Sequence, residues 1–91
     1  MINEKYIEDV IETIINYRDK HGWQKNDTLI NLSKSIFIEA AELFKNYASY
    51  ETAFDQENIK EELADILMYS LTLCHELKYD IYNELLRRLA Q

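Results

Sequence analysis

The run Glu61-Glu62-Leu63-Ala64-Asp65-Ile66-Leu67-Met68-Tyr69 sets acids among apolar residues with no helix breaker between them. Leu, Ala, Met and Glu are strong helix formers, so the run reads as the middle of a helix from about Gln56 to Lys78. Ile66, Leu67, Met68, Tyr69, Leu71, Leu73, Cys74 and Leu77 extend most of the way round it. A helix apolar on most sides is buried on most sides. A chain of 91 residues buries only a modest share of its surface alone. The pattern therefore predicts that a second copy completes the core.

The segment upstream tells the same story. A helix is predicted from about Thr28 to Ala48, with Leu32, Ile36, Ala40, Leu43 and Tyr47 in one stripe and Phe37, Ile38 and Phe44 outside it. Before it, Asn3 caps a helix to Lys20 whose Ile7, Val10, Ile11 and Ile14 share a face. Gly22 stops that helix, and Trp23 to Asp27 form a polar loop. Ser49 to Asp55 connects the second and third helices, with Asp55 as a cap. Asp80 caps a short fourth helix ending at Gln91. With no Pro and a single Gly, the class is all-α, in one domain spanning residues 1–91.

Charge and composition remove several functions. A net charge of −7 opposes nucleic-acid binding, which needs a basic face, but permits a phosphorylated small molecule with metal ions between the charges. The apolar runs are short and interrupted by charge, so no membrane span is expected. Met1-Ile2-Asn3-Glu4-Lys5 lacks the regions of a signal peptide, and the lone Cys74 has no internal disulfide partner. A reduced, cytoplasmic protein is expected. One glycine excludes a glycine-rich phosphate loop. His21 reads as a loop residue, His75 as a surface or helix-end residue, and Cys74 as a small core residue.

The acids carry the chemistry. Glu39 and Glu42 are three apart on the second helix, and Glu62 and Asp65 are three apart on the third. Each pair projects from one face, roughly 60° apart about the axis. Glu39 borders the Leu32/Ile36/Leu43 stripe, and Glu62 falls between Tyr69 and Leu73. Unpaired carboxylates beside a core are costly, and Lys45 and Lys60 are expected to point elsewhere on their helices. A divalent cation resolves the conflict. Four carboxylates without His or Cys suit a hard ion, Mg²⁺ or Mn²⁺. Di-iron bundles use a Glu-x-x-His pair, whereas the third positions here are Glu42 and Asp65, and Thr72 stands three residues before His75.

Gly22-Trp23, Asn31-Leu32-Ser33-Lys34-Ser35, Glu39-Ala40-Ala41-Glu42-Leu43 and Glu61-Glu62-Leu63-Ala64-Asp65-Ile66-Leu67 together resemble the MazG-like nucleotide pyrophosphohydrolases over nearly the whole chain. The specific part is the ordered pair Glu-x-x-Glu and Glu-x-x-Asp with its surroundings. The resemblance implies hydrolysis of a nucleoside triphosphate between the α and β phosphates, with Mg²⁺ held by catalytic Glu39, Glu42, Glu62 and Asp65. It implies a helical bundle built in a homodimer or a dimer of dimers (homotetramer), helices of more than one subunit forming the site.

The resemblance also matches Lys34, Trp23, Asn31 and Arg88 to substrate-binding positions. Lys34 is either a phosphate contact or a solvated lysine. Trp23 is either a stacking platform for a base or a hydrophobic plug at a helix junction. Asn31 either caps its helix or hydrogen-bonds nucleotide, and Arg88 stands where relatives have lysine. Departures fall outside the acids. His, a small hydroxyl residue and Pro become Asp27-Thr28-Leu29, an aromatic pair becomes Tyr47 and Ser49, and a glycine between the last two helices becomes Lys78. The chain also ends one residue short of an asparagine in the last helix. Phosphoribosyl-ATP pyrophosphatase activity and a non-catalytic, nucleotide-binding or dimerising helical protein are the alternatives.

Overall fold

The computed structural model describes residues 4–46 and 55–91. The described residues form four α-helices and no strand: α1 (Glu4–Lys20), α2 (Leu29–Lys45), α3 (Gln56–Glu76) and α4 (Ile81–Leu89). A 3-10 helix, Trp23–Asn26, replaces most of the expected loop. Local chemistry sets the ends. The side chains of Thr28, Asp55 and Asp80 accept hydrogen bonds from the backbone N–H of Asn31, Asn58 and Asn83. Gly22, at φ 71°, ends α1 in the left-handed conformation that glycine adopts without penalty. α2 ends at Lys45, short of Ala48. The expected Asn3 cap, Tyr47, and the Ser49-to-Phe54 stretch lie outside the described residues.

α2 and α3 form an antiparallel hairpin, the main packing unit of the chain. Asn58 Nδ2 donates to Asn46 Oδ1 (3.1 Å) where the two helices meet. From there the register runs in opposite senses, bringing Glu39 to Glu62 and Asp65, and Ser35 to the side of Tyr69. Leu32 and Thr72 are the fully buried side chains of the described residues. The Thr72 hydroxyl donates back to the Met68 carbonyl (2.7 Å), so its burial leaves no donor unsatisfied. α1 packs more lightly on α3, and α4 touches the rest only slightly.

The lone chain is open. Its radius of gyration is 15.1 Å, against about 12 Å for a compact domain of this length. Ile30, Phe37 and Phe44, seven residues apart on α2, are 69%, 75% and 69% exposed. They form a stripe directed away from α3, on the opposite side of α2 from Leu32. No described helix is long and apolar enough to cross a membrane.

Candidate metal centre and adjoining pocket

One oxygen from each of Glu39, Glu62 and Asp65 lies within 4.8 Å of the others, with all three residues half-buried between α2 and α3. Three-residue spacing on α3 puts Glu62 and Asp65 on one face, and the antiparallel register lays Glu39 of α2 across them. Three like charges this close oppose ionisation. The Glu39 carboxyl is pushed up to about 7, first by a hydrogen bond with Glu62, then by burial and by the charges of Glu62, Asp65 and Glu42. Glu62 Oε2 is buried without a hydrogen-bond partner among the described residues. A buried carboxylate oxygen left in this way among other carboxylates is a donor that a cation could satisfy. The donor set is all carboxylate, so the residues fit a hard divalent ion such as Mg²⁺ or Mn²⁺.

Glu42 differs from the expectation of a compact quartet. Its Oε1 accepts from Lys45 Nζ (3.1 Å), three residues on, and it stands outside the grouping. Roughly 60° from Glu39 about the axis, it sits at the solvent rim, where a flexible lysine reaches it. Lys45 therefore does not point away, as its place on the helical wheel suggested. Lys60 does, pairing with Glu57.

A pocket of about 300 Å³ adjoins the acids, with Trp23, Asn31, Ser35 and Tyr69 in its wall. Ser35 precedes Glu39, and Tyr69 follows Asp65, by four residues, so the pocket begins about 6 Å along each helix. Trp23 is carried on the 3-10 helix, its ring edge-on to Tyr17 (centroids 5.7 Å apart) and beside His21 (4.8 Å). Trp23 is 43% exposed, so it is not a sealed plug. Asn31 both supplies the N–H that Thr28 caps and donates from Nδ2 to the Asn26 carbonyl (3.0 Å), fixing the 3-10 helix.

Arg18 and Asp27 were not singled out from the sequence. Arg18 Nε and Nη2 donate to Asp27 Oδ2 and Oδ1, both at 2.6 Å, across the pocket wall. The Arg18 Cζ lies 5.3 Å from the ring centroids of both Trp23 and Tyr69. Asp27 and this bidentate pair hold the Arg18 guanidinium above its usual range. The only sequence signal was Asp27 itself, one of the departures from the resembled family's pattern; its partner is nine residues away on another element.

Lys34 and Arg88 lie elsewhere. Lys34 is exposed on the Ile30/Phe37/Phe44 side of α2, about 140° round the axis from Glu39. Arg88, on the loosely packed α4, donates from Nε to Glu84 (3.2 Å), and Arg87 also pairs with Glu84.

An antiparallel helix pair with facing carboxylates beside an aromatic pocket defines a class, that of all-α proteins with an acidic cluster suited to a metal ion. The profile of the MazG-like family matches residues 30–91, and the chain belongs to that family. It is similar to a pyrophosphatase from Archaeoglobus fulgidus, known from a crystal structure at 1.80 Å resolution, with 30% sequence identity and a TM-score of 0.79 over 93% of this chain and 86% of that one. No curated protein sequence matches it.

Proposed function

We propose that the chain is a metal-dependent nucleotide pyrophosphohydrolase, cleaving nucleoside triphosphates between the α and β phosphates to monophosphate and pyrophosphate. The observation that carries this reading is the grouping of Glu39, Glu62 and Asp65 within 4.8 Å, with an orphaned oxygen on Glu62. The MazG-like match and the pyrophosphatase neighbour support the reaction class. Glu39, Glu62 and Asp65 would hold Mg²⁺ or Mn²⁺, with Glu42 at the rim. Bound there, the ion supplies charge neutralisation for the phosphates and an acidified water. The chain's own residues do the rest. Trp23 and Tyr69 enclose the base, Asn31 keeps the 3-10 helix in place, and Glu39 gives up the proton it shares with Glu62 as the acids take up positive charge.

The exposed stripe on α2 supports a homodimer, or a dimer of such dimers; a reduced cytoplasmic setting is part of the same proposal. Lys34 lies within that stripe and α4 carries Arg88. Both cations are therefore assigned to phosphates at a site shared between copies rather than to the acids of their own chain. The test is pyrophosphate release from a panel of dNTPs and NTPs with Mg²⁺ or Mn²⁺, before and after chelation. Release only with metal supports the reading; none from any nucleotide refutes it.

A further inference from the structure

Trp23 opens a 3-10 helix of four residues that follows Gly22. A single turn of this kind is too short to fix a side chain by its own hydrogen bonds. Its far end is tied twice, by Asn31 of α2 to the Asn26 carbonyl and by Asp27 to Arg18 of α1. Arg18 also meets the ring itself. Its Cζ lies 5.3 Å from the ring centroid of Trp23 and 5.3 Å from that of Tyr69. Tyr69 is carried by α3, four residues after Asp65. One guanidinium therefore links the ring on the 3-10 helix to the helix that carries Glu62 and Asp65. Tyr17 and His21 border the indole too, at 5.7 and 4.8 Å between centroids, but both lie at the end of α1.

Stability alone does not call for charge at this place. The Arg18 and Asp27 side chains are 13% and 7% exposed, and replacing a buried ion pair by apolar side chains of similar volume is often neutral. What the pair supplies is direction. Two bonds, from Nε and Nη2 to the two oxygens of one carboxylate, fix the rotation of the guanidinium plane. A cation fixed in this way holds both rings in place. We infer that Arg18 is a positioning residue for the base of the substrate: held by Asp27, it sets the Trp23 ring relative to Tyr69 and so relative to the acids one turn away on α3. The inference rests on the nucleotide reading above. Arg18 acts through Trp23 and not on the phosphates, so its loss is read in substrate affinity and not in the chemical step.

Arg18→Lys in the full chain keeps the charge but loses the planar fork. Pyrophosphate release is measured with Mg²⁺ and each of dATP, dGTP, dCTP and dTTP. For the nucleotides that the wild type cleaves, the variant is expected to raise KM about tenfold and to change kcat by less than about twofold. Trp23 is the only tryptophan, so its emission reports the ring directly. In the variant that emission is expected to shift to the red and to be quenched more strongly by acrylamide. In a Trp23→Leu background, which itself raises KM, Arg18→Lys is expected to raise KM no further. Additive losses, a fall in kcat at unchanged KM, or wild-type KM and emission in a helical variant would each overturn the assignment. The wild type decides the matter even where the variants do not fold. Its time-resolved anisotropy is expected to show little nanosecond reorientation of a residue that is 43% exposed, and an indole that reorients freely overturns the proposal. Failure of the hydrolytic reading shows separately, as no pyrophosphate from the wild type while the emission and anisotropy results stand.

Discussion

Asp27, in the pocket wall, and the trio Glu39, Glu62 and Asp65, one helical turn from the pocket's Ser35 and Tyr69, are carboxylates in opposite circumstances. Asp27 meets a guanidinium through two hydrogen bonds, so its charge is matched from within the chain. Among the described residues the trio meets only other acids, leaving Glu39 holding a proton to about pH 7 and Glu62 with an orphaned oxygen. The first arrangement is complete as folded. The second, on the proposed reading, is completed by an ion from solution. Removing a charge should therefore weaken the fold at the pair and relieve it at the trio.

The largest contrast is in activity. Glu62→Gln or Asp65→Asn is expected to lower kcat/KM for pyrophosphate release by roughly 10²–10³-fold, while leaving thermal stability in chelator unchanged or raised. Mg²⁺ should raise the Tm of the wild type and not of these variants. A variant that retains both activity and the Mg²⁺-dependent shift would remove that residue from the metal centre.

At the Arg18–Asp27 pair the signs reverse. Asp27→Ala strands a largely buried guanidinium and is expected to destabilise the chain by about 3 kcal/mol, read by chemical denaturation. A change below about 1 kcal/mol would mean the pair behaves as an exposed one and the comparison fails.

The pH dependence of the metal-free protein sharpens the contrast further. Glu39 loses its proton near 4.5 when unfolded but holds it to about 7 when folded. Between those values the folded state binds more protons, so this group's stabilising contribution is full below 4.5 and is lost as pH rises through 7. Melts in chelator should show Tm falling across that window, and saturating Mg²⁺ should abolish the fall. A flat profile in chelator would show that Glu39 titrates normally.

These contrasts follow what was and was not legible in the sequence. The caps at Thr28, Asp55 and Asp80 and the stop at Gly22 are local, each made within a turn of backbone, and they could be read directly. The acids could be read because three-residue spacing fixes a face whatever packs against it. Arg18–Asp27 could not, because it joins separate elements through a turn whose path no periodicity specifies. Glu42 was placed with the others because spacing reports direction about an axis and not depth. Its distance from the helix interface, and the reach of Lys45, decide its surroundings.

The smallest effect tests how far local rules alone carry, by comparing two helix ends. At the end of α3, Tyr79 N–H donates to the Cys74 carbonyl (2.9 Å) and Lys78 N–H to His75 (3.0 Å), a paired closure that puts Lys78 in the left-handed conformation at φ 53°. At the end of α1, Gly22 N–H donates to Asp19 (3.0 Å) and glycine occupies the corresponding place at φ 71°. A Cβ added at Gly22 meets nothing within 4 Å, so substitution there is opposed by the backbone alone. Gly22→Ala is expected to lose about 1 kcal/mol. Lys78→Gly relieves the same penalty but frees the unfolded chain and removes a cation from a helix C-terminus, leaving a gain of about 0.5 kcal/mol. Paired denaturation curves check both. If Lys78→Gly destabilises instead, the lysine makes a favourable contribution at the α3–α4 turn that outweighs its backbone strain.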